Sequence, residues 1–139
     1  MGGSNMSQIR YITIRNWNVL FFFGYDYRLF DALEWAEAPE AIMKRVRGLV
    51  GEKDVNEGFC YSNPKLRRII VGVGEASSGP EFLDTTIHEI THIAQGISKT
   101  DGIDCYGEDF AYIVGDISHE ISDIVCEMSC PHCQNTPEY

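Results

Sequence analysis

Two histidines and a glutamate stand close together in the segment HEITH, at His88, Glu89 and His92. If this segment is helical, residues four apart lie on one face, with their Cβ atoms roughly 5–6 Å apart. The two imidazoles can then bind one zinc ion, while Glu89 reaches a water molecule on that ion. Zinc lowers the pKa of such a water to about 7, and the glutamate takes its proton as the water attacks a carbonyl. The spacing therefore favours a hydrolytic zinc site over a surface helix that carries two histidines by chance.

A hydrolytic zinc site needs a third protein ligand and an open position for water. The metzincin extension of the motif is absent, because Gln95 and Ser98 stand where glycine and histidine are required. We therefore expect the third ligand further along the chain, and our choice is Glu108, sixteen residues after His92. The alternative for Glu108 is an acidic residue that stabilises a helix N-terminus. The rival ligands are Asp101, Asp104 and Asp109.

A predicted last helix, at about residues 106–128, carries Glu108 on one face together with Tyr112, Gly115 and His119. His119 lies about 16 Å from Glu108 by helix rise, so the two are not expected to share a metal. Gly115 and Gly96 could allow this helix and the HEITH helix to approach closely.

Hydrophobic periodicity predicts the elements that position these residues. Residues 9–15 and 18–23 are predicted strands, and residues 58–73 a β-hairpin with its turn at 62–65. Short helices are predicted near residues 29–33 and after Pro39, and Ser78 with Glu81 has capping-box spacing at the start of the HEITH helix. The apolar stripe of the HEITH helix is Leu83, Ile87, Ile90, Ala94 and Ile97, and that of the last helix is Phe110, Ile113, Val114, Ile117, Ile121, Ile124 and Val125.

The chain of 139 residues carries 21 acidic and 11 basic residues, a formal charge of −10. This balance argues against binding to nucleic acid or anionic membranes, which attract basic patches. The apolar run at 19–23 is too short to span a bilayer, and no signal peptide is visible. We expect one cytoplasmic domain over residues 1–139, with an added, unstructured start at 1–8 and a flexible tail at 129–139. The oligomeric state is left open.

Five cysteines are present, and three of them, Cys126, Cys130 and Cys133, lie with His132 near the end of the chain. Three thiols and a histidine could complete a tetrahedral zinc site. Structural zinc sites usually join two separated ligand pairs, however, and this is one short cluster. We therefore favour a tail with reactive thiols over a second zinc site.

The segments HEITHIAQGI and GIDCYGEDFAYIVGDI, within residues 66–125, resemble the small gluzincin-type HExxH proteins of phages and prophage regions, which are mostly regarded as metallopeptidases. In that family the motif is followed by E-x-F-A-Y-x-x-G, which is matched here by Glu108, Phe110, Ala111, Tyr112 and Gly115. The resemblance implies Glu108 as the third ligand. It also implies an α+β, zincin-like (minigluzincin-like) fold, in which a small twisted antiparallel or mixed sheet packs against the metal helix and a C-terminal helix.

The same resemblance implies that an edge strand before the metal helix binds extended peptide, which here would be residues 66–73. It also implies that Tyr112 lies near the metal as an oxyanion donor, although packing alone is the alternative.

Thr100-Asp101 before Tyr106-Gly107 is similar to the aspzincin pattern, with imperfect spacing. Two functions follow: a zinc-dependent peptidase acting on peptide or protein substrates, or a non-catalytic zinc protein that uses the same scaffold to bind a partner.

Overall fold

A computed structural model of the chain describes residues 8–50 and 57–129. The elements are β1 (Gln8–Ile14), β2 (Trp17–Phe23), α1 (Arg28–Trp35), α2 (Glu40–Arg47), β3 (Gly58–Asn63), β4 (Arg68–Val73), α3 (Gly79–Asp101), α4 (Glu108–Glu120) and α5 (Ser122–Ser129). The α+β class is therefore confirmed. Gln8 belongs to the predicted unstructured start, yet it begins β1 opposite Phe23. The remainder of the predicted start and the tail from residue 130 lie outside the described residues.

The four strands form one mixed sheet in the order β1-β2-β4-β3. The strands β1 and β2 are an antiparallel pair, whereas β4 runs parallel to β2 and antiparallel to β3. The strand β4 is therefore paired on both sides, and the expectation that residues 66–73 form an edge strand is wrong. The edge on this side is β3, which contacts α3.

Helices cover both faces of the sheet, which explains why the two central strands are almost continuously apolar. On one face, alternate residues of β2, such as Trp17, Val19 and Phe21, pack against α3, α4 and α5. On the other face, Phe22 of β2 and Ile70 of β4 pack against α1 and α2. Each helix layer is thus anchored by a separate apolar cluster, with the sheet between them.

The helix α3 begins as its sequence predicts, because the Ser78 side chain accepts a hydrogen bond from the Glu81 backbone N–H at 3.2 Å. It ends at Gly102, whose φ of 69° is in the left-handed region that glycine adopts without strain. Its buried face differs from the predicted stripe, because Leu83 and Ile87 are 41% and 55% exposed. The residues buried in their place include Phe82, Thr86, Glu89 and Ile93.

The predicted last helix is divided into α4 and α5 at Ile121, although its apolar stripe packs into the core as expected. The predicted glycine contact between helices is wrong. A Cβ at Gly96 would lie 3.0 Å from Ser62 Oγ of β3, and one at Gly115 would meet nothing within 4 Å. Within the described ranges, no helix is both long enough and apolar enough to cross a membrane.

Candidate metal centre

The geometry of α3 sends the three ionisable side chains of HEITH in two directions. His88 and His92 are exposed, whereas only 3% of the surface of Glu89 is accessible. Successive residues of an α-helix are about 100° apart, so Glu89 and Ile87 lie on opposite sides of His88. Glu89 faces β3, and Ile87 lines a groove against α4 and α5. The histidines are therefore presented beside β3, away from the last two helices.

The two imidazoles converge on one point. Their Nε2 atoms lie 3.0 Å apart, and the ring planes are inclined at 77°. Two nitrogens bound to one tetrahedral zinc at 2.0–2.1 Å are about 3.3 Å apart, close to this separation. In the absence of a metal, the same contact is a hydrogen bond in which one ring donates its N–H to the other. The pair has the geometry of two metal ligands one helical turn apart.

The carboxyl group of Glu89 lies directly behind β3. A Cβ at Gly58 would be 2.6 Å from Glu89 Oε2, so β3 can lie this close to the Glu89 side chain only because residue 58 is glycine. The other oxygen, Oε1, is buried and has no hydrogen-bond partner among the described residues. Burial raises the pKa of the Glu89 carboxyl, and the charges of the two histidines and Arg45 oppose that shift. Buried polar atoms without partners are rare in folded proteins, which makes this oxygen a candidate for a functional role.

An open cavity of about 400 Å³ lies between α3 and β3 and includes all three ionisable HEITH side chains in its wall. The other lining residues come from α2 and β3 and include Arg45, Gly58, Cys60 and Ser62. A second cavity of about 300 Å³ adjoins it at His88 and is also lined by Glu57 and Asp84.

The thiol of Cys60 faces this cavity from the middle of β3. Side chains alternate along a strand, which places Gly58, Cys60 and Ser62 on the face nearest α3. Burial and then the charge of Glu89 raise the pKa of the Cys60 thiol to about 12, with a hydrogen bond from Ser62 opposing the shift. Cys60 is therefore a neutral thiol at neutral pH.

The structure does not bring Glu108 to the histidines. Glu108 is the exposed first residue of α4, which follows the C-terminal end of α3. His92 is nine residues before that end, about 13 Å along the helix axis. Among residues 8–50 and 57–129, no group of three His, Cys, Asp or Glu side chains is close enough to hold a metal ion.

The rival acidic residues have other partners. Asp101 accepts hydrogen bonds from Arg67 at 2.7 and 2.9 Å and from Trp17 at 3.2 Å, and the bonds from Arg67 chiefly lower its pKa. Asp109 pairs with Arg15 at 3.4 Å, and Asp104 accepts from the Tyr106 N–H. Asp101 thus ties the end of α3 to the sheet.

The other residues singled out in the sequence lie away from the cavity. Tyr112 is 61% exposed on α4, and neither it nor His119 lines the cavity beside His88. Cys126 is exposed on α5, and Cys130, His132 and Cys133 lie outside the described residues. The proposed cysteine cluster therefore has only one described member.

Sequence reasoning missed the residues of the cavity that lie on β3 and on α2. The alternation Gly58-x-Cys60-x-Ser62 in a predicted strand is a signal that one face carries small side chains, and such a face permits a helix to pack closely. Arg45 has no comparable signal, because it is forty-three residues before His88 and only the tertiary fold brings α2 to this cavity.

Comparison of the chain with known protein families, with characterised proteins and with solved structures finds no significant match.

Proposed function

We propose that the protein is a zinc-dependent metallopeptidase with a zincin-like fold, in which His88 and His92 bind the metal and Glu89 is the general base. The observation that carries this proposal is the pair of Nε2 atoms 3.0 Å apart beside a buried carboxyl group, one oxygen of which has no hydrogen-bond partner within residues 8–50 and 57–129. A purely structural histidine pair requires no such carboxylate, which destabilises the fold when it is buried without partners. Imidazole nitrogen is one of the preferred ligands of zinc, and the histidine pair would supply two of the three protein ligands that a hydrolytic site needs.

The chain's own residues have distinct roles in the proposed reaction. Bound zinc would polarise a carbonyl and lower the pKa of water to about 7. Glu89 Oε1, which has no hydrogen-bond partner in the described part of the chain, would accept the proton of the attacking water and later return it to the leaving amine. The buried position of this carboxyl group limits competing hydrogen bonds from solvent.

The edge strand β3 supports a peptide as the substrate. Among the described strands, β3 pairs only with β4, and its lining residues adjoin the histidines. An extended peptide can add to such an edge through backbone hydrogen bonds. Addition to β3 would carry a scissile carbonyl past His88 and His92, whereas β4 is enclosed by its neighbours.

We expect the purified protein to hold about one zinc ion per chain, and His88→Ala or His92→Ala to remove it. Each substitution deletes one of the two converging nitrogens, so the remaining imidazole binds zinc only weakly. Metal analysis after dialysis against zinc-free, chelator-free buffer measures the stoichiometry. His119→Ala, which lies away from the cavity, is the matched control and should retain zinc. A wild-type protein that holds no zinc after incubation with one equivalent would refute the proposal.

The third ligand requires its own test, because the position of α4 does not support Glu108. We expect Glu108→Ala to retain zinc with an affinity within about threefold of wild type, since exposed side chains away from a site contribute little. Competition with a chromophoric chelator measures the affinity, and Glu57→Ala and Asp84→Ala test the acidic residues that line the adjoining cavity. A loss of tenfold or more in Glu108→Ala alone would show that Glu108 is the ligand after all.

A further inference from the structure

Arg45 places a cation in the wall of both cavities. It lies in the last turn of α2, whose buried Val46 anchors the helix in the core, and it lines both cavities together with His88 and Glu89. One guanidinium N–H donates a long hydrogen bond of 3.4 Å to the Gly58 carbonyl. Because Gly58 is the residue that contacts Glu89, this bond holds the guanidinium beside the proposed reaction centre.

The other described arginines are committed to side-chain partners, and Arg45 is not. Five form ion pairs with Asp or Glu, and one stacks over Trp35: Arg10, Arg15, Arg28, Arg47, Arg67 and, on the tryptophan, Arg68. Within residues 8–50 and 57–129, Arg45 takes part in no such ion pair, although the charge of Glu89 attracts it. A guanidinium has five N–H donors, and the single bond to Gly58 uses one of them.

We propose, resting on the function proposed above, that Arg45 is a substrate-binding residue that recognises a carboxylate of the peptide. A planar guanidinium matches a carboxylate through two parallel hydrogen bonds. Among the described residues, Arg45 and the two histidines are the basic residues that line the two cavities. The chain carries a formal charge of −10, so an anionic group entering this site needs a local cation to offset the general repulsion. The carboxylate is either the C-terminus of the peptide or an acidic side chain.

Three ligands that would bind zinc through a thiol distinguish a C-terminal carboxylate from an acidic side chain. They are mercaptoacetyl-Leu-Ala with a free C-terminal carboxylate, the same compound as its amide, and mercaptoacetyl-Leu-Asp amide. Binding to zinc-loaded protein is measured by titration calorimetry. In wild type we expect at least one carboxylate ligand to bind about tenfold more tightly than the uncharged amide. If only mercaptoacetyl-Leu-Ala binds more tightly than its amide, Arg45 recognises a C-terminus. If only mercaptoacetyl-Leu-Asp amide does so, Arg45 recognises an acidic side chain.

Arg45→Met should bind all three ligands equally, and Arg45→Lys should keep part of the preference, because lysine retains the charge and loses the planar fork. Arg47→Met is the matched control on the same helix and should keep the wild-type preference, since Arg47 pairs with Glu40. Metal analysis of the same samples separates the two proposals: absent zinc removes the metallopeptidase and this inference together. If zinc is bound, three outcomes would overturn the role of Arg45 alone. Wild type would show no preference for a carboxylate, it would bind none of the ligands, or the preference would persist in Arg45→Met.

Discussion

Glutamine at position 89 is expected to abolish peptide hydrolysis while leaving zinc bound. The substitution keeps the shape of the side chain and removes its ability to accept a proton. A positioned general base contributes about 10²–10⁴-fold to the rate, so the rate of hydrolysis should fall by about that factor. The histidines keep their 3.0 Å separation because Glu89 contributes neither of the converging nitrogens.

Cleavage of fluorophore-labelled, denatured casein by zinc-loaded protein measures this effect, with zinc content determined on the same samples. Glu81→Gln is the matched control, because it makes the same change at an exposed position on α3 and should leave the rate unchanged. Equal rates in Glu89→Gln and wild type would exclude Glu89 as the base. Zinc-loaded wild type that cleaves nothing would instead favour the non-catalytic zinc protein, in which the scaffold binds a partner.

Thermal stability separates a catalytic role of Glu89 from a structural one. The buried Oε1 has no partner in the described part of the chain, so the carboxylate destabilises the metal-free fold. Metal-free Glu89→Gln should therefore melt at the same temperature as wild type or higher. A structural carboxylate, in contrast, would lower the melting temperature when replaced. Activity lost without stability lost is the pattern expected of a reacting group.

Local patterns in the sequence were sufficient for most elements of the fold. The Ser78 cap and the hairpin at residues 58–73 follow from rules that act over a few residues, and the structure contains both. The break at Ile121 was missed because the apolar stripe continues through it into α5. Periodicity reports which residues face the core, and it does not report where the backbone bends.

Long-range placement was not predictable in the same way. The position of β4 between β2 and β3 depends on a parallel pairing that no local signal specifies, so β3 rather than β4 is the exposed edge. Glu108 was chosen by its spacing and by resemblance, yet α4 packs on the flank of α3 that carries Ile87. Side-chain packing sets the distance between two consecutive helices. The faces on which the two helices meet decide which of their side chains can bind the same metal ion.

The contact between Gly58 and Glu89 predicts a second large effect, from the addition of a single methyl group. In Gly58→Ala, the new Cβ would lie 2.6 Å from Glu89 Oε2 and 2.8 Å from the Gly72 carbonyl oxygen. Real Cβ atoms do not approach other atoms so closely, so β3 or the carboxyl group must move. We expect a loss of about 1–3 kcal/mol in the free energy of unfolding, as for other overpacked sites. Hydrolysis should fall at least tenfold, because misplacing a reacting group by about 1 Å has a large kinetic cost.

Urea denaturation and the casein assay measure the two effects, and Gly115→Ala is the control. Gly115 lies within α4 with nothing within 4 Å of the added Cβ, so alanine there should raise the free energy of unfolding by about 0.5–1 kcal/mol. A double-mutant cycle with Glu89→Ala isolates the contact: the cost of Gly58→Ala should be smaller when the carboxyl group is absent. The part that remains belongs to the Gly72 carbonyl. If Gly58→Ala costs the same in both backgrounds and retains full activity, β3 does not hold Glu89 in place, and the close approach of strand and helix is not what positions the base.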